Sequence, residues 1–211
     1  FDVSELVSGT NFSLGLRGNV GSEQSADILV WGAQIEALPY ATSYIPTIGG
    51  TVSTRLGESV NGAGDASTFN DSEGVLFVET KGFTNGGEGD LYITIGDGSS
   101  NNAIQLLLHD TPDRINFRVR AASVLEVNIS SLTINQNINN KIACLYSSGN
   151  FALWINGTER ISTAVGNLPS GLSELSFNSD GIASNPFYGK TSQIQVFNTA
   201  LSDAELQILT T

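Results

Sequence analysis

The chain has 211 residues, of which 40% are hydrophobic, 14% are charged and 23 are glycine. This composition is too apolar for a disordered chain. It suits a large all-β domain of short strands joined by turns. Its formal net charge of −12 and its nine scattered basic residues argue against nucleic acid and anionic membranes as partners, but they allow a sparsely charged glycan or a cation. No apolar run reaches the ~18 residues that a membrane span needs, so no membrane insertion is expected.

Two strand-like patterns occur in residues 1–48. Phe12, Leu14 and Leu16 alternate with small or polar residues, and a second run covers about residues 26–35. Two strands alone bury too little surface to be stable in water. We therefore expect this segment to dock on the following domain or on other chains. Because the chain contains no methionine, we also expect it to be a piece of a longer product.

Residues 49–73 are predicted to be a linker and lead-in, because they are rich in glycine and contain few large apolar side chains. From residue 74 onward, nine runs have the composition and period of β-strands, with Gly, Asn, Asp or Ser between them. In chain order these runs are GVLFVETKG, DLYITIGDG, NAIQLLLHD, RINFRVRA, VLEVNI, KIACLYSSG, NFALWING, LSELSF and KTSQIQVFN. The sequence therefore predicts a two-layer β-sandwich over residues 74–211.

A helix is predicted only at the end, in ALSDAELQILTT. Ser202 and Glu205 have the spacing of a capping box, and Leu206 and Leu209 share one face.

Alternation in the fourth run predicts which side chains face water. Ile115, Phe117 and Val119 are expected in the core, and the residues between them are expected in solvent: Arg114, Asn116, Arg118 and Arg120. A turn at residues 121–123 would place Arg118 opposite Glu126. Three arginines on one face could form an anion site, but solvated arginines with one cross-strand ion pair are the simpler interpretation.

A second hairpin is predicted in KIACLYSSGNFALWING, with its turn at residues 147–150. Its first strand is apolar on both faces, which indicates a central strand that the C-terminal helix could cover. Cys144, on this strand, is expected to be a small buried hydrophobe. Asn156-Gly157 predicts a type I′ turn.

This hairpin and the segment GKTSQIQVFNTALSDAELQILTT resemble the concanavalin A-like, laminin-G-like jelly roll. The resemblance covers about residues 74–211. It implies an all-β, two-sheet jelly-roll sandwich closed by a short C-terminal helix.

The segment ILVWGAQIEALPYATSYIPT, followed by VSTRLGESV, resembles a domain junction in bacteriophage tail-fibre and virion-associated proteins. The resemblance implies that residues 1–48 are the C-terminal strands of a preceding carbohydrate-binding-module-like domain. It also implies a virion or extracellular location.

Catalysis is not expected from the sequence. Some relatives of this fold hydrolyse glycosidic bonds with an E-x-D-x-x-E or E-x-D-x-E run, and no such run occurs here. The one histidine, His109, has no accompanying Gly-x-Ser-x-Gly motif.

Calcium is a candidate ligand, because laminin-G-like domains often hold this ion at one rim through oxygen atoms. Asp97 and Asp110 are the candidate ligands, each in its own loop. These loops bracket one strand and lie at opposite ends of it, so one shared site is not expected. Turn formation by Asp, Asn and Gly is the alternative explanation for both loops.

Sugar binding commonly uses an aromatic ring together with planar amide or carboxylate groups. The candidates are Tyr92, Trp154, Asp97, Asn101 and Asn102. Burial under a loop or against the N-terminal piece is the competing explanation for Trp154.

These features predict a non-catalytic adhesion module that binds bacterial cell-surface glycan, with a possible homotrimer of sister subunits. A purely structural virion domain and an ancillary domain of a polysaccharide depolymerase are the alternatives.

Overall fold

The computed structural model describes residues 44, 63–82, 89–111, 113–132, 134–179, 187 and 189–211. The chain divides into two compact units, Phe1–Leu56 and Gly57–Thr211. The predicted strands of residues 1–48 and the first part of the predicted linker lie outside the described residues. The boundaries predicted at residues 48 and 73 therefore stay predictions.

Ten strands and one helix occur in the described part of the second unit. They are β1 (Glu73–Gly82), β2 (Leu91–Gly96), β3 (Ala103–Leu108), β4 (Arg114–Ala121), β5 (Val124–Leu132), β6 (Asn140–Ser147), β7 (Asn150–Ile155), β8 (Thr158–Thr163), β9 (Glu174–Ser176), β10 (Gly189–Phe197) and α1 (Asp203–Thr210). All nine predicted runs form strands. The sequence did not predict β8, whose residues Thr158 to Ser162 are all exposed and carry no apolar alternation.

The strands form two antiparallel sheets. Sheet I has the order β10-β1-β6-β7-β8, and sheet II has the order β5-β4-β3-β2-β9. The main core contains the inward residues of both sheets, including Ile115, Phe117 and Val119, each fully buried as predicted. The predicted all-β sandwich with a short C-terminal helix is confirmed. No helix within the described ranges has the length and apolarity to cross a membrane.

A second, smaller core covers the outer face of sheet I. Ala143, Leu145 and Trp154 pack there against Leu206 of α1. Strand β6 lies between β1 and β7, so it is central and buried on both faces, as predicted. Cys144 of β6 is fully buried, and burial raises the pKa of its thiol, which keeps it protonated and inert.

The local signals at α1 and at the β7–β8 turn are confirmed. The carboxylate of Glu205 accepts hydrogen bonds from the backbone N–H of Ser202 at 2.8 Å and from its hydroxyl at 2.6 Å. Asn156 and Gly157 have φ angles of 50° and 76°, as a type I′ turn requires.

The predicted register of β4 and β5 is wrong. The turn contains only Ala122 and Ser123, and Glu126 of β5 is an extra residue in the ladder, because Arg120 pairs with Leu125 and Val119 pairs with Val127. Arg118 therefore pairs with Asn128 and not with Glu126.

Asn116 also differs from the expectation. It is completely buried, although its side chain was predicted to lie in water.

Candidate functional site

The outer face of sheet II carries polar side chains, because alternate residues of each strand point away from the main core. We define the polar face as the outward side chains of three of these strands: Tyr92 of β2, Arg114, Asn116, Arg118 and Arg120 of β4, and Asn128 and Ser130 of β5. Strand pairing aligns them, since Asn116 lies opposite Ser130 and Arg118 lies opposite Asn128.

Arg118 is at the centre of this face. Its Nε donates to Oδ1 of Asn128 at 3.2 Å, and its Nη1 donates to the hydroxyl of Tyr92 at 3.0 Å. The amide of Asn116 donates to the same Oδ1 of Asn128 at 3.4 Å. These contacts fix the orientation of the guanidinium before any ligand binds.

The other two arginines are also held by neutral acceptors. Arg114 donates from Nε to Oδ1 of Asn116 at 3.1 Å and from Nη2 to the hydroxyl of Ser130 at 3.3 Å. Arg120 donates from Nε to the backbone carbonyl of Ser100 at 3.1 Å. None of the ion pairs between described residues includes any of the three arginines.

The segment after β9 covers part of sheet II. Thr94 donates to the carbonyl of Asn178 at 2.6 Å, and Gln105 donates to the carbonyl of Ser179, so both side chains are buried. On the β4–β5 side, by contrast, the three arginines are half-buried and Asn128 is exposed. The accessible part of the polar face therefore lies over β4 and β5.

Tyr92 borders this accessible part. It is 7% exposed, which leaves no open ring face on which a sugar could stack. Its hydroxyl accepts the hydrogen bond from Arg118 and donates to Oδ2 of Asp90 at 3.4 Å. Burial raises the pKa of Tyr92 above its usual value; Arg118 works against this rise and Asp90 adds to it. The phenol is therefore neutral at physiological pH.

A second cluster lies at the end of sheet II where β2 begins and β3 ends. Asp90, His109 and Asp110 each offer one donor atom, and these atoms lie within 4.8 Å of one another. Nδ1 of His109 is 2.8 Å from Oδ1 of Asp110 and 3.7 Å from Oδ1 of Asp90. One nitrogen and two carboxylate oxygens are donors that could hold a divalent cation.

The same atoms also organise the turn. The backbone N–H of Asp110 donates to Oδ1 of Asp90 at 3.0 Å, and that of Thr111 donates to Nδ1 of His109 at 2.9 Å. The two carboxyl groups offer oxygen atoms no more than 4.8 Å apart, and paired carboxyl groups are the catalytic groups of most glycosidases, so hydrolysis needs a direct test. Calcium at Asp110 stays a prediction.

This cluster was not predicted, although the sequence contains a signal for it. The predicted second and third strands form a hairpin, and Leu91 pairs with Leu108. That register places the residue before one strand, Asp90, beside the residue after the other, His109.

The structure brings Asp97, Asn101 and Asn102 together in the β2–β3 turn. Oδ1 of Asp97 accepts hydrogen bonds from the backbone of Ser99 at 2.9 Å and from its hydroxyl at 2.7 Å, and Oδ2 accepts one from Asn102 at 2.8 Å. Partial burial works to raise the pKa of Asp97, but the bonds from Ser99 and Asn102 outweigh it and hold the pKa below its usual value.

The two asparagines join this turn to neighbouring loops. Oδ1 of Asn102 accepts hydrogen bonds from the backbone of Ala122 and of Ser170, and Oδ1 of Asn101 accepts one from the hydroxyl of Ser123. Ligand binding by these residues stays a prediction. The turn lies at the opposite end of β3 from Asp110, as expected.

Trp154 lies on the other sheet. It is on the outer face of sheet I, packed with Leu206 of α1 and 7% exposed, and its Nε1 is buried without a hydrogen-bond partner. The structure therefore does not bring Trp154 and Tyr92 to one site, and the arrangement offers no open ring face at Trp154.

A groove of about 310 Å³ lies beside strand β10, at the edge of sheet I. Phe177 and Phe187 line it, with ring centroids 5.8 Å apart. None of the residues predicted from sequence as ligands lines this groove.

Two stacked antiparallel sheets are an architecture that lectin domains use. A sequence profile of the family described as "Concanavalin A-like lectin/glucanases superfamily" matches residues 76–207. The chain therefore belongs to this superfamily, which confirms the resemblance of its main domain. Among proteins of curated function, none matches the chain.

Several solved structures share the fold. The CBM40 of the Ruminococcus gnavus IT-sialidase, bound to α2,3 sialyllactose, has a TM-score of 0.58 at 16% identity over 74% of this chain and 97% of its own. The NanB sialidase of Streptococcus pneumoniae has a TM-score of 0.55 at 17% identity over 72% of this chain and 26% of its own. Domain 4 of AbnA, a GH43 extracellular arabinanase of Geobacillus stearothermophilus in complex with arabinotriose, has a TM-score of 0.53 at 14% identity over 70% of each chain.

Proposed function

We propose that the chain is a non-catalytic glycan-binding module that holds sugar against the accessible part of the polar face. The observation that carries this proposal is the row of oriented, half-exposed hydrogen-bonding groups on β4 and β5. Arg114 and Arg118 supply donors, and Asn128 supplies an exposed amide. Fixed polar groups of this kind match the hydroxyl groups of a sugar without prior rearrangement.

Two of the solved relatives support a glycan as the ligand class. The Ruminococcus gnavus CBM40 is described with sialyllactose, and AbnA domain 4 is described with arabinotriose. Both are modules with this fold and a bound oligosaccharide.

The proposed setting is a bacteriophage virion, where the module would bind glycan on the bacterial cell surface. Its support is the sequence resemblance of residues 28–47 to a phage tail-fibre junction. A trimer of sister subunits would raise the avidity of weak single sites. A monomer in solution, measured by light scattering, would remove the trimer from the proposal.

The second candidate function is an ancillary domain that attaches a polysaccharide-degrading enzyme to its substrate. Two solved structures favour this function, because in each the region that resembles this chain is only part of an enzyme. The match covers 26% of the NanB sialidase chain, and the matched part of AbnA is its domain 4. Both candidates place glycan on the same face.

The test is a glycan array probed with the wild-type chain and with two variants. Arg118→Gln removes a charge from the polar face, and Arg160→Gln removes one from an exposed position on β8 of the other sheet. We expect binding by the wild type and by Arg160→Gln, and strongly reduced binding by Arg118→Gln. If the wild type at high protein concentration binds none of the glycans on the array, the proposal is overturned and a purely structural virion domain is favoured.

A second assay tests the absence of catalysis. The wild-type chain is incubated with each glycan that it binds, and new reducing ends are measured. We expect none above the buffer control. Steady release that Asp90→Asn abolishes would make the Asp90–Asp110 pair catalytic and would contradict a pure binding module.

A further inference from the structure

The polar face concentrates positive charge in a chain that is strongly negative. Three of the nine basic residues lie on β4, whereas the whole chain carries 21 acidic residues. The predicted acidic partner of this row was Glu126, opposite Arg118. The shorter turn and the bulge remove that pairing, and Glu126 instead accepts a hydrogen bond from the backbone of Asn167 at 3.2 Å.

Every acceptor that the described residues present to these guanidinium groups is neutral. The acceptors are the side chains of Asn116, Ser130, Asn128 and Tyr92 and the carbonyl of Ser100. Half-buried charge gains more from a direct counter-charge than fully solvated charge does, because water screens it less. Asp90 is joined to Arg118 only through the hydroxyl of Tyr92, which donates to Oδ2 of Asp90 at 3.4 Å. Among the described residues, no carboxylate therefore contacts these guanidinium groups directly, and a bound anionic oxygen would supply the first direct counter-charge.

The unused nitrogens show where an anion fits. Among the hydrogen bonds of the described residues, Arg120 donates only from Nε, which leaves its two Nη groups as a fork that matches the two oxygens of a carboxylate. Arg118 uses Nε and Nη1 and retains Nη2. The two residues are two positions apart on one strand face, which places their backbones about 7 Å apart, close enough for both side chains to reach one ligand group.

We propose that the glycan bound at the polar face is acidic and that its carboxylate binds between Arg118 and Arg120. This inference rests on the proposed function and narrows its ligand class to carboxylated sugars. The overall negative charge of the chain repels anions in general, and the arginine row provides the local attraction that an acidic ligand needs at the site. The planar fork of arginine discriminates a carboxylate from a hydroxyl in a way that a single ammonium group does not.

The test uses pairs of glycans that differ only in the carboxylate. Oligogalacturonate and sialyllactose are each compared with their own carboxyl-reduced form, both in titration calorimetry and as part of an array of such pairs. We expect the acidic member of the recognised pair to bind about 10- to 100-fold more tightly, as charge-assisted hydrogen bonds predict. The affinity for a sulfated glycan that has no carboxylate is measured as well, to test whether the site prefers carboxylate to sulfate.

Variants then locate the contact. Arg120→Gln and Arg118→Gln should each lower the affinity for the acidic member by at least about 10-fold and bring it close to that of the neutral member. Arg120→Lys, which keeps the charge but not the fork, should fall between Arg120→Gln and wild type. Arg160→Gln is the matched control and should bind as wild type does. Circular dichroism of each variant checks that the fold is intact.

The outcomes separate this inference from the proposed function. Equal binding of acidic and neutral members overturns the inference but leaves glycan binding intact. Preference for the sulfated glycan over every carboxylated glycan also overturns it. Absence of binding to any member of the array overturns both.

Discussion

At the scale of single residues, the molecule separates polar groups that can meet a ligand from those that hold the fold together. Arg118 and Arg120 are half-exposed and retain donors that no described residue uses. Asp97, Asn101 and Asn102, by contrast, join turns to one another. The sequence predicts that the two arginines face solvent and that the other three residues lie in a loop. It does not reveal which are already satisfied, because their partners are backbone groups of loops distant in the chain.

Substitution of Trp154 tests whether its indole is a core residue and not a ligand contact. Because Nε1 is buried without a partner, Trp154→Phe removes an unsatisfied donor and keeps most of the apolar contact. We expect it to lower the free energy of unfolding by far less than Trp154→Ala, which should cost about 3–5 kcal/mol. Urea denaturation measures both changes, and glycan affinity should be unaltered in Trp154→Phe. A large loss of affinity would make the indole a ligand contact.

Asp97 gives the turn a defined pH dependence. Its pKa is lower in the folded chain than in the unfolded one, so its contribution to stability is present above pH about 4 and is lost as the pH falls through the lowered value. We expect Asp97→Asn to be less stable than wild type at pH 7, and we expect the difference to shrink as the pH falls below about 4. Melting temperatures from pH 7 to pH 3 give the measurement. A difference that does not change with pH would contradict the assignment.

At the scale of elements, the nine predicted strands form because period-two apolar alternation buries one face of each strand or, as in β6, both. Strand β8 follows a different rule. Its residues gain almost no burial, and it forms because the Asn156-Gly157 turn folds it back onto β7. Hydrophobic pattern alone therefore cannot find it. The β4–β5 register was mispredicted for a related reason, since Ala122-Ser123 lacks the residues that usually mark a two-residue turn.

That turn is also a site of backbone strain. Ala122 has a φ of 49°, in the left-handed region that costs alanine about 1–2 kcal/mol. Asparagine tolerates this region, so Ala122→Asn should raise the free energy of unfolding by up to about 1 kcal/mol. Ala164→Asn is the control, because Ala164 is also exposed but is not among the residues with positive φ. If the two substitutions change the free energy of unfolding equally in urea denaturation, Ala122 is not strained at this turn.

Helix α1 covers the outer face of sheet I through one deeply buried side chain. Leu206 is fully buried in the smaller core, whereas Ile208, two residues on, is 76% exposed. We expect Leu206→Ala to cost about 2–5 kcal/mol of unfolding free energy and Ile208→Ala to stay within about 0.5 kcal/mol. Comparable losses in the two variants would show that the helix does not pack as described.

At the scale of the whole molecule, the two outer faces of the sandwich have different roles. The outer face of sheet I is apolar and is covered by α1, and the outer face of sheet II is polar and partly open over β4 and β5. The sequence predicts the fold and the covering helix, because both follow from local patterns. It cannot predict the site, which needs the register of four strands and the path of the segment after β9 to bring Tyr92 beside Arg118.

The central claim is that glycan binds at the polar face. Its most direct test is a titration of the isotopically labelled chain with a glycan that it binds, followed through backbone amide shifts. We expect the largest changes at Arg118, Arg120 and Asn128, with none around Trp154 beneath α1. Changes centred on Trp154, or on the turn that contains Asp97, would contradict the claim.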